Sequence, residues 1–357
     1  MRPPLPLESN GDVDTVPVPV PVPVPVLEVE HLTVGYDTPE GDRVLLVQDV
    51  SFALLPGEVL CLVGESGSGK SVTSLAVLGL LPAPLELFSG TIRFRGRDVT
   101  AMTEAERRAM RGNEIAMVFQ DPMTALNPVR RVGRQIARAL AVHQPELSRT
   151  QRAERVVELL ASVGVPQPAD RARGYPHEWS GGMRQRAVIA MAIANQPDLL
   201  IADEPTTALD STVQAQVIDT LAQARAMADA AMMLITHDLG LVAQVADRVA
   251  IMYSGRIVET GSVLDIFDDA QHPYTQGLLA SILTSARAGE RAVAIAGSPP
   301  LPVRRPPGCA FAPRCANPAK DQRCVTDVPT LQLLAPGRAA ACHHQSGAVA
   351  VTSEGPR

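Results

Sequence analysis

The sequence predicts an α/β fold, a parallel sheet flanked by helices, and three features carry that prediction. EVLCLVG (58–64), LLIAD (199–203) and MMLITHD (232–238) are short, largely apolar runs with the length and composition of strands buried on both faces. A glycine-rich turn joins the first of them to the apolar stretch SVTSLAVLGLL (71–81), which reads as strand, loop, helix. From about Thr103 to Leu160, TEAERRAMR and TQRAERVVELLASVG combine charged faces with apolar stripes, so a helical insert is expected to interrupt the core.

The flanking segments follow from local chemistry. Residues Val16 to Val26 alternate valine and proline, which removes every second backbone donor and excludes an ordinary strand. Polyproline II is the physical expectation there, and residues 1–26 are set outside the fold as a tether or disordered segment. LEVEHLTVGY (27–36) and VLLVQDVSFAL (44–54) are β-type runs that stop at Pro56 and Gly57. After Gly261 come a helix-like SVLDIFDDA, the stretch HPYTQGLLASIL, and a proline- and cysteine-rich segment to residue 346 that reads as a separate small module; residues 347–357 form a tail.

Composition narrows the function classes. A chain of 357 residues has room for a domain of about 200 residues and a smaller appendage without disulfides. A net charge of -6 and 3% aromatic residues argue against a nucleic-acid partner, which asks for a basic face and stacking platforms. The longest uncharged stretches, Ser71 to Leu85 and Ala270 to Ala286, do not make a membrane-spanning helix, which needs about twenty apolar residues. Arg2 is followed by prolines, Glu8, Asp12 and Asp14 where a secretory signal would be apolar, so the cytosol is the expected compartment. Four of the five cysteines crowd between Cys309 and Cys342, which in a reducing compartment points to metal before disulfides.

Gly64-Glu65-Ser66-Gly67-Ser68-Gly69-Lys70-Ser71, with Val72 behind it, fits the G-x-x-x-x-G-K-[ST] phosphate loop between a strand and a helix. Its glycines let successive N–H groups turn toward phosphate oxygens, and the helix presents its positive end to the same anion. Lys70 is expected on the β- and γ-phosphates and the Ser71 hydroxyl on magnesium. LLIADEP supplies the acids. Asp203, at the strand end, is the magnesium-side carboxylate, and Glu204 is left to polarise the attacking water as general base.

SGGMRQR, LLIADEP and TTALD follow in that order between Ser180 and Asp210, and with the phosphate loop upstream the chain resembles the ATP-binding subunit of an ABC transporter over about residues 27–262. The resemblance implies a P-loop NTPase (RecA-like) core with an antiparallel β subdomain and an inserted helical subdomain at about 101–186. It also implies roles for further residues. Tyr36 matches the aromatic that stacks on adenine, and Gln120, in MVFQDPMTALNP, matches the glutamine that senses magnesium and the γ-phosphate. Ser180, Gly181 and Gly182 match the signature that binds the γ-phosphate of a nucleotide held by another subunit; Asp210 closes the D-loop and His237 matches the switch histidine. Trp179 stands where the family usually has leucine, and altered packing rather than lost activity is expected there, with the wider side chain bearing on the dimer fit.

HPYTQGLLASI (272–282) resembles the element that follows the nucleotide domain in oligopeptide and dipeptide importer ATPases, which also serve some nickel importers. Cys309, Cys315, Cys324 and Cys342 have a C-x5-C-x8-C-x17-C spacing, similar to tails of that family that can carry an iron–sulfur cluster. Four thiolates suit a 4Fe–4S cluster or a tetrahedral zinc, free thiols are the third possibility, and the spacing does not choose among them. His343 or His344 can replace a cysteine, and Cys61 reads as a small buried hydrophobe.

The expectation is therefore an ATP- and Mg2+-dependent motor of a peptide importer on the cytoplasmic face of the cell membrane. The partners implied are a second nucleotide-binding subunit, identical or homologous, two transmembrane permease subunits and, indirectly, an extracellular or periplasmic substrate-binding protein. The alternatives are an importer motor for nickel or another small solute, and a non-transport ABC ATPase. DNA-repair relatives carry long coiled coils or zinc hooks and ribosomal ones two nucleotide domains, and neither is in this sequence. A nucleotide sensor without turnover has no use for Glu204 and His237.

Overall fold

The computed structural model describes residues 24–120, 125–207, 210–285 and 295–345. Two sheets organise them. The smaller is antiparallel, in the order β2-β1-β4-β5, from β1 (Leu27–Asp37), β2 (Arg43–Leu54), β4 (Glu86–Phe94) and β5 (Arg97–Asp98). The larger has the order β11-β12-β10-β9-β3-β8-β7-β6. Its strands are β3 (Val59–Val63), β6 (Ile115–Val118), β7 (Leu199–Asp203), β8 (Ala231–Thr236), β9 (Arg248–Tyr253), β10 (Arg256–Ser262), β11 (Gln332–Ala335) and β12 (Arg338–Ala340). β3 pairs in parallel with β8 and β9, and β7 with β6 and β8, so all three apolar runs read as buried strands lie side by side at its centre.

Alternation along β3 explains the layering. All five residues are buried, but Leu60 and Leu62 pack with Leu27, Val29, Ile92 and Phe94 under the antiparallel sheet. Val59, Cys61 and Val63 pack on the opposite face with Trp179, Val188, Tyr253 and Tyr274. A strand with period two thus seals both layers at once, which a continuous apolar run permits and an amphipathic one does not.

Helices α1 (Lys70–Val77), α2 (Glu104–Met110), α3 (Val132–His143), α4 (Arg149–Ser162), α5 (Pro168–Arg171), α6 (Gly181–Ala192), α7 (Ser211–Ala228) and α8 (Leu239–Val245) precede β9; α9 (Val263–Asp268), α10 (Pro273–Ser285) and α11 (Gln322–Thr326) follow β10. Starts are set by side-chain caps. Thr103 with Glu106 and Ser148 with Gln151 form capping boxes that satisfy orphan amides at the entries to α2 and α4.

Three expectations change. Ile115–Val118, inside the stretch read as a helical insert, is strand β6 of the core sheet; four apolar residues are too few for periodicity to tell a strand from a helix. Among the described residues the segment after Gly261 is not a separate module, because β12 pairs with β10 through Glu259 opposite Ala340 and extends the large sheet. Val26, placed outside the fold, is 6% exposed and its N–H donates to Leu54 O at 2.8 Å. The rest of the valine–proline expectation lies outside the described residues, apart from Val24 and Pro25. Among the described residues no helix is long and apolar enough to cross a membrane.

Candidate nucleotide-binding site

Between β3 and α1 the chain makes a turn that needs glycine. Gly69 caps α1 with φ 106°, a left-handed value, and Gly67 has φ 77°. A Cβ on Gly64 would stand 2.1 Å from the Met252 carbonyl oxygen of β9, so only glycine lets the loop pass this close to the next strand. The turn leaves the start of α1 facing a cleft of about 620 Å³, lined by Glu65 to Val72 and by Leu46, Gln120, Glu204, His237 and Pro302.

Lys70 is 5% exposed, and its Nζ donates to Gly64 O at 2.8 Å and Glu65 O at 3.0 Å. Burial lowers its pKa, while Glu204, Asp203 and Glu65 pull it back up and favour the ammonium. Behind it, Ser71 Oγ donates to Asp203 Oδ1 at 3.1 Å. Burial raises the Asp203 pKa above the usual carboxylate range, against the Ser71 hydrogen bond that lowers it. A buried carboxylate beside a hydroxyl is a pair of hard oxygen donors, and this pair fits a magnesium ion that keeps several waters.

Glu204 follows Asp203 at a positive φ of 45°, and its side chain lines the cleft. Its Oε2 accepts from Gln120 Nε2 at 3.2 Å and from Thr207 Oγ1 at 2.9 Å, and His237 Nδ1 lies 3.5 Å away. Lys70 Nζ is 4.0 Å from Oε1. Four chain segments thus converge on one carboxylate. Thr207 was not legible as a partner, since a threonine after a strand end carries no signal of its own.

Other predicted residues lie elsewhere. Tyr36 is half-buried on β1 opposite Val44 and is not among the residues lining the cleft. Ser180 caps α6, accepting from Met183 N at 3.3 Å, with Gly181 and Gly182 in the first helical turn; none of the three lines the cleft. Asp210 Oδ1 accepts from Val213 N at 3.0 Å at the start of α7. Trp179 is 2% exposed and packs into the hydrophobic core.

The four tail cysteines do come together. Cys309, Cys315, Cys324 and Cys342 line one small cavity with His272, Phe311, Lys320, His343 and His344. All are free thiols, and burial pushes Cys309 up to about 11. Among the described residues the group of three metal-type donors within 4.8 Å of one another is Asp321, Cys324 and His344, not three of the thiols.

A phosphate loop after β3, acids after β7 and, between them, a capped helix with glycines in its first turn stand in that order along one chain. The ABC transporter family profile matches residues 47–207, and the profile of the oligopeptide/dipeptide transporter C-terminal region matches residues 258–324. The dipeptide transport ATP-binding protein DppD of Escherichia coli is 47% identical, over 89% of this chain and 96% of its own length. The chain belongs to the oligopeptide/dipeptide ABC-transporter ATP-binding family.

Within this family, the oligopeptide transport ATP-binding protein OppD of Bacillus subtilis is 52% identical over 81% of this chain and 80% of its own length. The Mycobacterium tuberculosis OppD is 50% identical over 88% of this chain, which spans only about half (51%) of that longer relative. A dimeric bacterial ABC transporter cassette shares the fold, with a TM-score of 0.59 at 24% identity over 66% of this chain and 98% of the cassette.

Proposed function

We propose that this chain is the ATP-hydrolysing motor of an importer of oligopeptides or dipeptides, working on the cytoplasmic face of the cell membrane. The observation that carries the reading is Glu204, held by Gln120 and Thr207 and beside His237 at the mouth of the Lys70 cleft. In this reading residues 27–262 are the nucleotide-binding domain, residues 263–346 the family's C-terminal segment, and 1–26 and 347–357 lie outside both.

The chain's residues divide the work. Lys70 and the amides of Ser66 to Ser71 bind the phosphates, while Ser71, Asp203 and Gln120 would hold a magnesium ion, which when bound would offset phosphate charge. Glu204 accepts a proton from the attacking water, and His237 steadies the γ-phosphate. Tyr36 is assigned to the adenine. Ser180, Gly181, Gly182 and Asp210, which are not in the lining of the cleft, are assigned to the nucleotide of a second nucleotide-binding subunit. Closure of two such surfaces on ATP, and release after hydrolysis, drives two transmembrane permease subunits fed by a substrate-binding protein.

The thiol cavity is assigned to a 4Fe–4S cluster. A single tetrahedral zinc with Zn–S bonds of about 2.3 Å requires its sulfurs about 3.8 Å apart. The four thiols share one cavity and are the number that a cubane cluster takes; the three donors that lie within 4.8 Å of one another are Asp321, Cys324 and His344. Such a cluster supplies a covalent tie among four segments and a one-electron redox couple.

The test is reconstitution with the permease subunits and a binding protein in vesicles. Peptide-stimulated ATP hydrolysis with peptide uptake is expected; stimulation by nickel, DNA or ribosomes in place of peptide removes the assignment.

A further inference from the structure

The tail of the chain grips the phosphate loop. Arg314 Nη1 donates to Glu65 Oε2 at 2.7 Å and Nη2 to Glu65 Oε1 at 3.0 Å, a two-point pair between positions 249 residues apart. The guanidinium is 6% exposed. Its remaining donors are also held: Nε by Ala296 O at 2.9 Å, Nη1 by Tyr253 OH at 3.3 Å and Nη2 by Ile295 O at 3.4 Å. A planar fork fixed on so many sides is a geometry that lysine does not reproduce.

Glu65 is also held through its backbone, since its N–H donates to Tyr274 OH at 2.9 Å. Tyr274 is fully buried against Tyr253 and Phe311, with ring centroids at 4.6 and 5.5 Å, and Phe311 leads into the turn that carries Arg314. HPYT and the cysteine segment therefore hold the same loop residue, one through its backbone and one through its side chain.

The charge makes this grip consequential. Glu65 is the one acidic residue of the loop from Gly64 to Ser71, and it lines the cleft where a triphosphate would sit. A free carboxylate there would repel the nucleotide and could also compete for Lys70. We infer that Arg314 is a positioning residue of the nucleotide site: from the C-terminal segment it neutralises Glu65 and fixes the loop's first turn for ATP. The inference rests on the reading that the cleft binds ATP. It also explains why the C-terminal segment is physically part of the catalytic domain, and it makes the fold around Cys309 and Cys315, which flank Arg314, a determinant of nucleotide affinity.

The experiment uses the full chain with its permease partners and separates KM for ATP from kcat. Arg314→Met raises KM about tenfold, as removal of one partner from a largely buried pair requires, with kcat changed by less than about twofold. Arg314→Lys is intermediate. The decisive variant is the double one, Glu65→Gln with Arg314→Met, which carries no unpaired charge and returns KM to within about twofold of the parent. Metal content of the thiol site and the melting temperature are measured on every variant. An unchanged KM in Arg314→Met overturns the proposal, as does a double variant that keeps the metal and the melting temperature but not the ATP affinity. Should Arg314→Met fail to fold, the double variant decides alone, and its failure to fold also overturns the proposal. A parent protein whose ATP binding survives Lys70→Ala instead sinks the ATP reading of the cleft and leaves the Glu65 pairing as architecture.

Discussion

Gln120 Nε2 donates to Glu204 Oε2 at 3.2 Å, linking the end of the segment after β6 to the acid after β7. Because Thr207 Oγ1 donates to the same oxygen, Glu204→Gln can keep both bonds by presenting its amide oxygen, while losing the ability to take a proton. Turnover should fall by about a hundredfold or more, the usual worth of a general base. ATP affinity should stay within about threefold, and the variant with ATP should elute as a dimer from a sizing column. Rapid hydrolysis by this variant removes Glu204 from the role of base.

Ser71 and Asp203 make a different prediction. Their oxygens stand 3.1 Å apart, and burial disfavours the Asp203 carboxylate until a cation joins it. Ser71→Ala removes one hard donor from an ion that tolerates little departure from six oxygens. The magnesium concentration for half-maximal hydrolysis should rise about tenfold, whereas ATP binding in the presence of a chelator should not change. Equal loss in both measurements assigns Ser71 to the phosphates instead.

Gly64→Ala is expected to be worse than its size implies. The added carbon meets a backbone oxygen of β9 at 2.1 Å and Ser68 Oγ at 2.9 Å, and β9 is paired on both sides, so the loop must move. A cost of about 2 kcal/mol or more is the scale for such overpacking, seen as a lower midpoint in urea with the slope preserved. ATP binding should be lost as well. A variant with parental stability would mean that the loop adopts another path.

How much of this was legible depended on contiguity. The phosphate loop occupies eight consecutive residues and the acids follow one apolar strand, so local sequence carried their placement. Gln120 and His237 were identified by resemblance, since neither differs locally from an ordinary polar residue. Arg314 and Tyr274 could not be read as partners of Glu65, because nothing in a one-dimensional pattern encodes contacts across 249 and 209 residues. The strands QLLA and RAA are four and three residues long, too short for alternation, and this hid their pairing with the central sheet.

On the proposed cluster assignment, Cys61 stands apart from the other four cysteines. Cys61 is fully buried in β3 and its thiol is pushed up to about 12 by that burial, so Cys61→Ala should leave bound metal unchanged and native protein should not alkylate there. Cys324→Ser should abolish iron binding. Anaerobically purified parent protein should carry about four irons per chain with broad absorbance at about 400 nm. One zinc per chain without that absorbance would replace the cluster by a mononuclear site.

The separation of Ser180 from the Lys70 cleft yields the sharpest test of a shared site. Lys70 ends its side chain on Gly64 O inside the cleft, whereas Ser180 spends its oxygen on the Met183 amide at the start of α6, outside it. If one chain supplies phosphate loop and signature to the same nucleotide, Lys70→Ala and Ser180→Arg damage one site and cannot rescue each other. If two copies exchange them, a mixed pair holds one ruined site with both lesions and one intact site with neither. Random pairing makes half the dimers mixed, so a mixture of the two inactive variants should regain about a quarter of the parental ATPase. Titrating the mixing ratio should give a maximum at equal amounts. A flat, inactive profile with both variants folded would show that this chain does not complete its site with a second copy of itself.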